Sequence, residues 1–146
     1  MIRLIISIAL LLATLAMYSQ KDKKQSNYAI AVSVAAIQNP KGKVYFAIYT
    51  NKNFLKNPLK SKTVSVKNGT AQVQFTNITT GTYAIAVYHD KNENGKLDFD
   101  LTTGRPTEDY GFSNNPTLYG SPEFKNAKFE VVNKDVTFEV LLNDGF

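Results

Sequence analysis

Three stretches of this chain set bulky apolar residues at every second position: Ile30, Val32 and Val34; Val44, Phe46 and Ile48; Tyr83, Ile85 and Val87. Side chains of an extended chain alternate between two faces, so a period of two commits each stretch to a β-strand with one buried face. Other segments share the β-branched and aromatic content. Strands are expected at about Tyr28 to Gln38, Lys43 to Thr50, Thr63 to Lys67, Thr70 to Asn77, Thr82 to His89, Ala127 to Asn133 and Val136 to Leu142. Asn68-Gly69 suits a two-residue turn with positive φ at both centres. No segment carries a helical period, so the pattern predicts an all-β fold, a seven-stranded antiparallel β-sandwich.

The positions between the bulky residues are Ala29, Ala31, Tyr45, Ala47, Tyr49, Ala84, Ala86 and Tyr88, small or aromatic and never charged. A second face so poor in charge is expected to be covered. The covering material is the long loop of about residues 90–126, and above all Leu101 to Asn126, because a loop of that length is usually compact or functional. Its Tyr110, Phe112, Leu118, Tyr119 and Phe124 are expected to lie over the alanines, with Gly104, Gly111, Gly120, Pro106, Pro116 and Pro122 setting its bends.

Ahead of the first strand, Arg3 is followed by an apolar run from Leu4 to Met17 and then Tyr18, Ser19 and Gln20. A spanning helix needs roughly 20 apolar residues. This shorter run has the layout of a secretory signal peptide, residues 1–19, cleaved after Ser19. Residues 20–27 then form a polar leader and 28–146 the sandwich, with a secreted or periplasmic location and no stable membrane insertion after cleavage. There is no cysteine, which excludes both disulfide staples and a lipid-modified N-terminal cysteine.

Removing residues 1–19 takes Arg3 from 17 basic residues and nothing from 12 acidic ones, so the mature chain carries 16 − 12 = +4. Ten lysines stand against Asp22 alone in residues 21–67, while 68–146 hold six basic and eleven acidic residues. The lysines are spread through strands and turns without interleaved aromatics. They read as a solvated face, and no nucleic acid is expected as a partner.

The chemistry concentrates in Asp90-Lys91-Asn92-Glu93-Asn94-Gly95-Lys96-Leu97-Asp98-Phe99-Asp100. Counted from Asp90, oxygen-bearing side chains fall at the first, third, fifth and ninth places of a calcium loop: Asp90, Asn92, Asn94 and Asp98. Gly95 takes the sixth, where such a loop turns sharply, and the Lys96 carbonyl the seventh. Leu101 stands at the twelfth place instead of a bidentate glutamate. Asp100 is the leading candidate to complete the shell, with Glu108 and Asp109 behind it. The expected cofactor is calcium, weighed against an Asx-rich turn whose side chains cap their own backbone. With one histidine and no cysteine, no zinc site is expected.

The same residues carry a resemblance. Thr79-Thr80-Gly81-Thr82-Tyr83-Ala84-Ile85-Ala86-Val87-Tyr88-His89-Asp90, Asn94-Gly95, Asp98, Gly104-Arg105-Pro106, Glu108, Tyr110-Gly111-Phe112-Ser113-Asn114-Asn115 and Gly120-Ser121-Pro122 resemble the bacterial family called domain of unknown function 2141. The similarity runs from about Gly42 to Leu142. It implies a small exported protein and names no activity. More loosely, the Gly81-Thr82-Tyr83 strand entry is similar to transthyretin-like and collagen-adhesin B-type sandwiches, which implies an immunoglobulin-like or transthyretin-like arrangement.

Two further function classes are open at this level. A hydrolase would pair His89 with Ser113, but Gly111-Phe112-Ser113-Asn114-Asn115 lacks the second glycine of a nucleophile elbow. A binding module would use the loop aromatics for a carbohydrate, or a sheet edge for an envelope protein. The expectation is a non-catalytic, calcium-stabilised binding or envelope-accessory module.

Overall fold

The computed structural model describes residues 27–143. The expected signal peptide and residues 20–26 of the leader lie outside the described residues. Eight strands follow in order: β1 Tyr28–Val34, β2 Lys43–Tyr49, β3 Lys60–Ser65, β4 Ala71–Ile78, β5 Gly81–Asp90, β6 Tyr110–Phe112, β7 Phe129–Val131 and β8 Val136–Glu139. Helical structure among the described residues amounts to a 3-10 turn at Asn51–Asn53 and one turn, α1, at Phe124–Ala127.

The alternating residues do what their period requires. Ile30, Val32 and Val34 of β1 pack with Val44, Phe46 and Ile48 of β2 and with Tyr83, Ile85 and Val87 of β5, all buried in one core between two sheets. One sheet has the order β4-β1-β8. The other is β3-β2-β5, with β6 and β7 paired one after the other along the free edge of β5. The fold is the β-sandwich that the pattern predicts.

Two features depart from the expected layout. β6 makes an eighth strand, inside the long loop; three residues are too short to display a period. And β8 runs parallel to β1, Ile30 opposite Val136 and Val32 opposite Phe138, so the sandwich is not wholly antiparallel. The cause lies in the tight turns. Asn68 (φ 52°) and Gly69 (φ 72°) form the expected two-residue turn, closed by the Lys67–Thr70 bridge, yet β3 and β4 on either side enter opposite sheets. The turn holding Asn133 (φ 55°) likewise sends β7 and β8 into different sheets.

Strand ends shift for local reasons. β1 stops at Val34 because Ala36 adopts φ 57°. β3 starts at Lys60, earlier than expected, because Lys60, Ser61 and Lys62 pair with Ile48, Ala47 and Phe46 as a sheet edge. Lysines on an edge discourage pairing with another chain.

The outer face of the five-stranded sheet is covered in part. Ala84, Phe112 and Ala127 form a second buried cluster, joined by Phe54, Ala86, Tyr110, Leu118 and Phe124. Phe54 comes from the 3-10 turn region, so the long loop is not the sole cover. Its ring lies 5.6 Å from Phe124 and 6.2 Å from Phe112. Ala29 and Ala31 belong to the other sheet. Ala31 stays half-buried there beside Ser33, Gln72 and Gln74, so that part of the alanine strip is not covered. Tyr119, at 97% exposure, does not pack either.

Candidate functional site

Strand β5 ends at Asp90, opposite Lys43 of β2, and the chain then winds back on itself. Asp90 Oδ1 accepts the Asn94 N–H at 3.1 Å, and Oδ2 accepts the Gly95 N–H at 2.8 Å. Glu93 (φ 60°) and Gly95 (φ 80°) supply the left-handed turns that this winding needs. Asn92 Oδ1 accepts the Asn94 N–H at 3.1 Å, and Asn94 Oδ1 accepts the Lys96 N–H at 2.8 Å. The amide groups of both asparagines reach Asp98: Asn92 Nδ2 lies 2.6 Å from Oδ2, and Asn94 Nδ2 lies 2.9 Å from each oxygen. Asp90, Asn92, Asn94 and Asp98 are thus tied into one hydrogen-bonded ring.

Glu108 is the carboxylate that reaches back into the loop. Its Oε1 accepts the Lys91 N–H at 2.7 Å and its Oε2 the Asp98 N–H at 3.2 Å, joining both ends of the loop. Asp100 makes a turn of its own instead. Oδ1 accepts the N–H groups of Thr102 and Thr103 and the Thr103 hydroxyl, at 3.0, 2.7 and 2.9 Å. The N–H and hydroxyl of Thr103 hold the Asp100 carboxyl below the ordinary carboxylate range.

Asp90 and Glu108 are 5% and 4% exposed. The nearby lysines pair elsewhere: Lys43 with Glu93 at 2.7 Å, and Lys91 with Asp109 at 2.8 Å. Among the described residues, no ion pair joins a basic side chain to Asp90 or Glu108. Buried carboxylates satisfied by backbone N–H groups alone are costly, because hydrogen bonds return only part of the hydration lost. The donor set of carboxylate, amide and carbonyl oxygens is the hard set that suits calcium. Among the described residues, no three acidic or histidine side chains already gather around one point. The amides of Asn92 and Asn94 would have to exchange Nδ2 for Oδ1 to join a shell.

After Asp98 the chain forms a short ribbon. Asp100 N donates to Arg105 O at 2.8 Å, Thr107 N to Asp98 O at 2.9 Å, and Phe99 bridges Pro106. Asp98 holds the asparagine amides, while its neighbours Leu97 and Phe99 line a groove of about 760 Å³ on the outer face of the five-stranded sheet. Tyr45, Ala86 and Tyr88 line it from β2 and β5, and Leu118, Tyr119 and Pro122 from the long loop. The Tyr45 and Tyr88 rings lie 4.9 Å apart. Burial, and then neighbouring Tyr45, push the Tyr49 and Tyr88 hydroxyls up to about 12, and the Asp90 and Glu108 carboxylates add to the shift at Tyr88. The groove was not foreseen from the sequence. Its signal in the sequence is the tyrosines alternating with alanines on β2 and β5, a pattern that equally suits a face filled by a loop.

The structure does not bring His89 and Ser113 together. Ser113 Oγ accepts the Ile85 N–H at 2.9 Å and donates to the Ala127 carbonyl, so its proton is already placed. His89 lies four residues further along β5, about 13 Å at about 3.3 Å per residue. It is fully buried, with Nε2 2.7 Å from the Lys41 carbonyl and Nδ1 3.9 Å from Asp109 Oδ2.

Fold and loop together define a class: a small all-β sandwich with an Asx-rich loop at one strand end and an aromatic groove beside it. The chain belongs to the bacterial family described as "Uncharacterized protein conserved in bacteria (DUF2141)", whose sequence model matches residues 32–139. No curated protein and no solved structure matches it.

Proposed function

We propose that this protein is a secreted or periplasmic, calcium-stabilised β-sandwich that acts as a non-catalytic binding module of the cell envelope. The observation that carries the calcium reading is the pair of buried carboxylates, Asp90 and Glu108, whose described ion pairs include no lysine or arginine. A divalent cation between them would offset a burial cost that backbone hydrogen bonds meet only in part. Asp90, Asn92, Asn94, the Lys96 carbonyl and Asp98 would hold the ion. Glu108 is better placed than Asp100 to close the shell, because it already bridges Lys91 and Asp98. When bound, calcium supplies charge and rigidity and takes part in no reaction.

Without a twelfth-place glutamate the site is weak, in the range of about 0.1 to 1 mM known for extracellular modules. Exported proteins meet calcium at such concentrations. The test is calorimetric titration of chelator-treated protein beside Asp90→Ala and Asp98→Ala. The parent takes up calcium and the variants do not; magnesium, which keeps its waters and demands an octahedral shell, binds much more weakly. No heat and no calcium-dependent rise in melting temperature for the parent returns the segment to an ion-free Asx turn.

A further inference from the structure

We propose that the groove over Tyr45 and Tyr88 binds a flat aromatic molecule of two or more fused rings that carries a hydroxyl or carbonyl oxygen. The inference rests on reading the protein as a binding module and is independent of calcium. Pairing across the sheet gives the groove its shape. Tyr45, Tyr88 and Tyr110 stand opposite one another on β2, β5 and β6, and the next outward residue of β5 is Ala86, whose small side chain leaves a gap in the floor. Tyr49 lies at the far side of that gap, four residues beyond Tyr45 on β2, about 13 Å at about 3.3 Å per residue. Phe99 of the ribbon, a large apolar side chain that is 52% exposed, lines the same space. At about 760 Å³ the groove lies within the roughly 300 to 1,000 Å³ typical of small-molecule sites.

The lining selects the body of the ligand. Five tyrosines and two phenylalanines line the groove, so ring surface meets a ligand from the sheet, from the long loop and from the ribbon. Aromatic pairs gain more than the area they bury, an increment that an alkyl chain or a saturated ring does not collect. The Tyr45 and Tyr88 rings show the geometry, 4.9 Å apart and tilted by 31°. The oxygen follows from Tyr49. Elsewhere in the sandwich the hydroxyls of Tyr28 and Tyr83 are bonded, at 3.2 and 3.0 Å. Tyr49 is only 7% exposed, yet its hydroxyl has no hydrogen-bond partner among the described residues and is left to solvent in the groove. A ligand that displaces that solvent without offering an oxygen leaves the hydroxyl unpaired, at a cost in affinity. Arg105 also lines the groove but already has an interaction, so it is given no part in selecting the ligand.

Four uncharged probes separate the terms at neutral pH: 2-naphthol, naphthalene without the oxygen, decahydro-2-naphthol without the aromatic rings, and octyl β-glucoside with an alkyl body. Binding of 2-naphthol to chelator-treated protein is followed by its fluorescence, and the other three by displacing it, the glucoside below its micelle concentration. The expected result is one site. 2-Naphthol binds at least about threefold more tightly than naphthalene, and at least about tenfold more tightly than decahydro-2-naphthol or the glucoside. Tyr49→Phe should lower the 2-naphthol affinity to that of naphthalene, whose own stays within about twofold. Ala86→Leu, which fills the gap, should weaken all four at least about tenfold. Because a larger side chain at position 86 is able to disturb β5, Phe99→Ser on the exposed ribbon serves as a second variant with the same expected direction. Equal or tighter binding of decahydro-2-naphthol or the glucoside overturns the aromatic assignment. A preference for 2-naphthol over naphthalene that survives Tyr49→Phe overturns the role of its hydroxyl. Both results leave the module reading standing. Unchanged affinity in both groove variants, or no binding of any probe, overturns the groove itself. Recovery of chemically altered 2-naphthol would instead sink the non-catalytic reading and keep the groove; the calcium reading stands or falls on its own titration.

Discussion

Glu108 bonds two backbone N–H groups, of Lys91 and Asp98, that lie seven residues apart and have no other described acceptor. Glu108→Ala leaves both donors without it. Hydrogen bonds to charged groups are worth about 1.5 to 3 kcal/mol each, about 3 to 6 for the two, and removing the buried carboxylate offsets part of this, so a loss of about 2 to 4 kcal/mol in urea unfolding is expected. Gly42 acts on the same loop from outside: at φ +85° it sits where an added Cβ would meet the Asp90 carbonyl oxygen at 2.2 Å. Gly42→Ala should cost about 1 to 3 kcal/mol, as overpacking usually does, because it displaces Asp90; if the loop takes calcium, uptake should weaken with it. Asp100 gives a pH signature. Its native carboxyl titrates below its ordinary value of 3.8, so its contribution is present above that value and is lost as pH falls through the lower native one. Asp100→Ala should lower the neutral plateau slightly and flatten the acid limb, so that the two stability curves converge at low pH. The convergence of Asp90, Asn92, Asn94 and Asp98 in one loop was legible because it depends on sequence positions alone. The part played by Glu108 was not, because it depends on the ribbon folding back through Thr107.

The strand β6 fastens the long loop through Phe112, which is buried among Phe54, Phe124 and the alanines of β5. Phe112→Ala removes the ring on which that cluster meets. A loss of about 3 to 5 kcal/mol is expected, seen as a clear fall in melting temperature. Phe54→Ala should loosen the same cluster less, since Phe54 is only half-buried. Tyr49 and Tyr88 extend the face toward the groove. Their native hydroxyls ionise near 12 against about 10 when unfolded, so their stabilisation is full below pH 10 and drains away as pH rises toward 12. Tyr88→Phe should therefore raise the pH at which alkaline unfolding begins, measured by circular dichroism. At this scale the sequence showed that the face between the inward residues needed a cover. It did not show the partition of that cover into a packed half under Phe112 and an open half over Tyr88. That partition depends on where β6 ends against β5, a three-dimensional register that no local period encodes.

Across the molecule, β1 and β8 close the sandwich by a parallel pairing of segments about a hundred residues apart in sequence, reinforced by the Ala29 N–H on Asp135 at 2.8 Å. If calcium binds at about 0.1 mM, then about 2 mM calcium adds roughly 1.8 kcal/mol to the folding of the whole domain. A thermal melt with and without chelator measures it. The ribbon from Asp98 to Thr107 gives that gain a second meaning. It offers Asp98 to the ion loop while Leu97 and Phe99 face the groove, so whatever fixes one side of the ribbon also fixes the other. If calcium and a groove ligand both bind, their coupling is reciprocal: the factor by which one tightens the other is the factor it receives in return. A groove ligand coupled positively in this way would be held where calcium is abundant and let go where calcium is scarce. The calcium midpoint measured with and without a saturating apolar groove probe such as octyl β-glucoside gives the factor, and a midpoint that does not move would make the ribbon a passive divider between two independent sites.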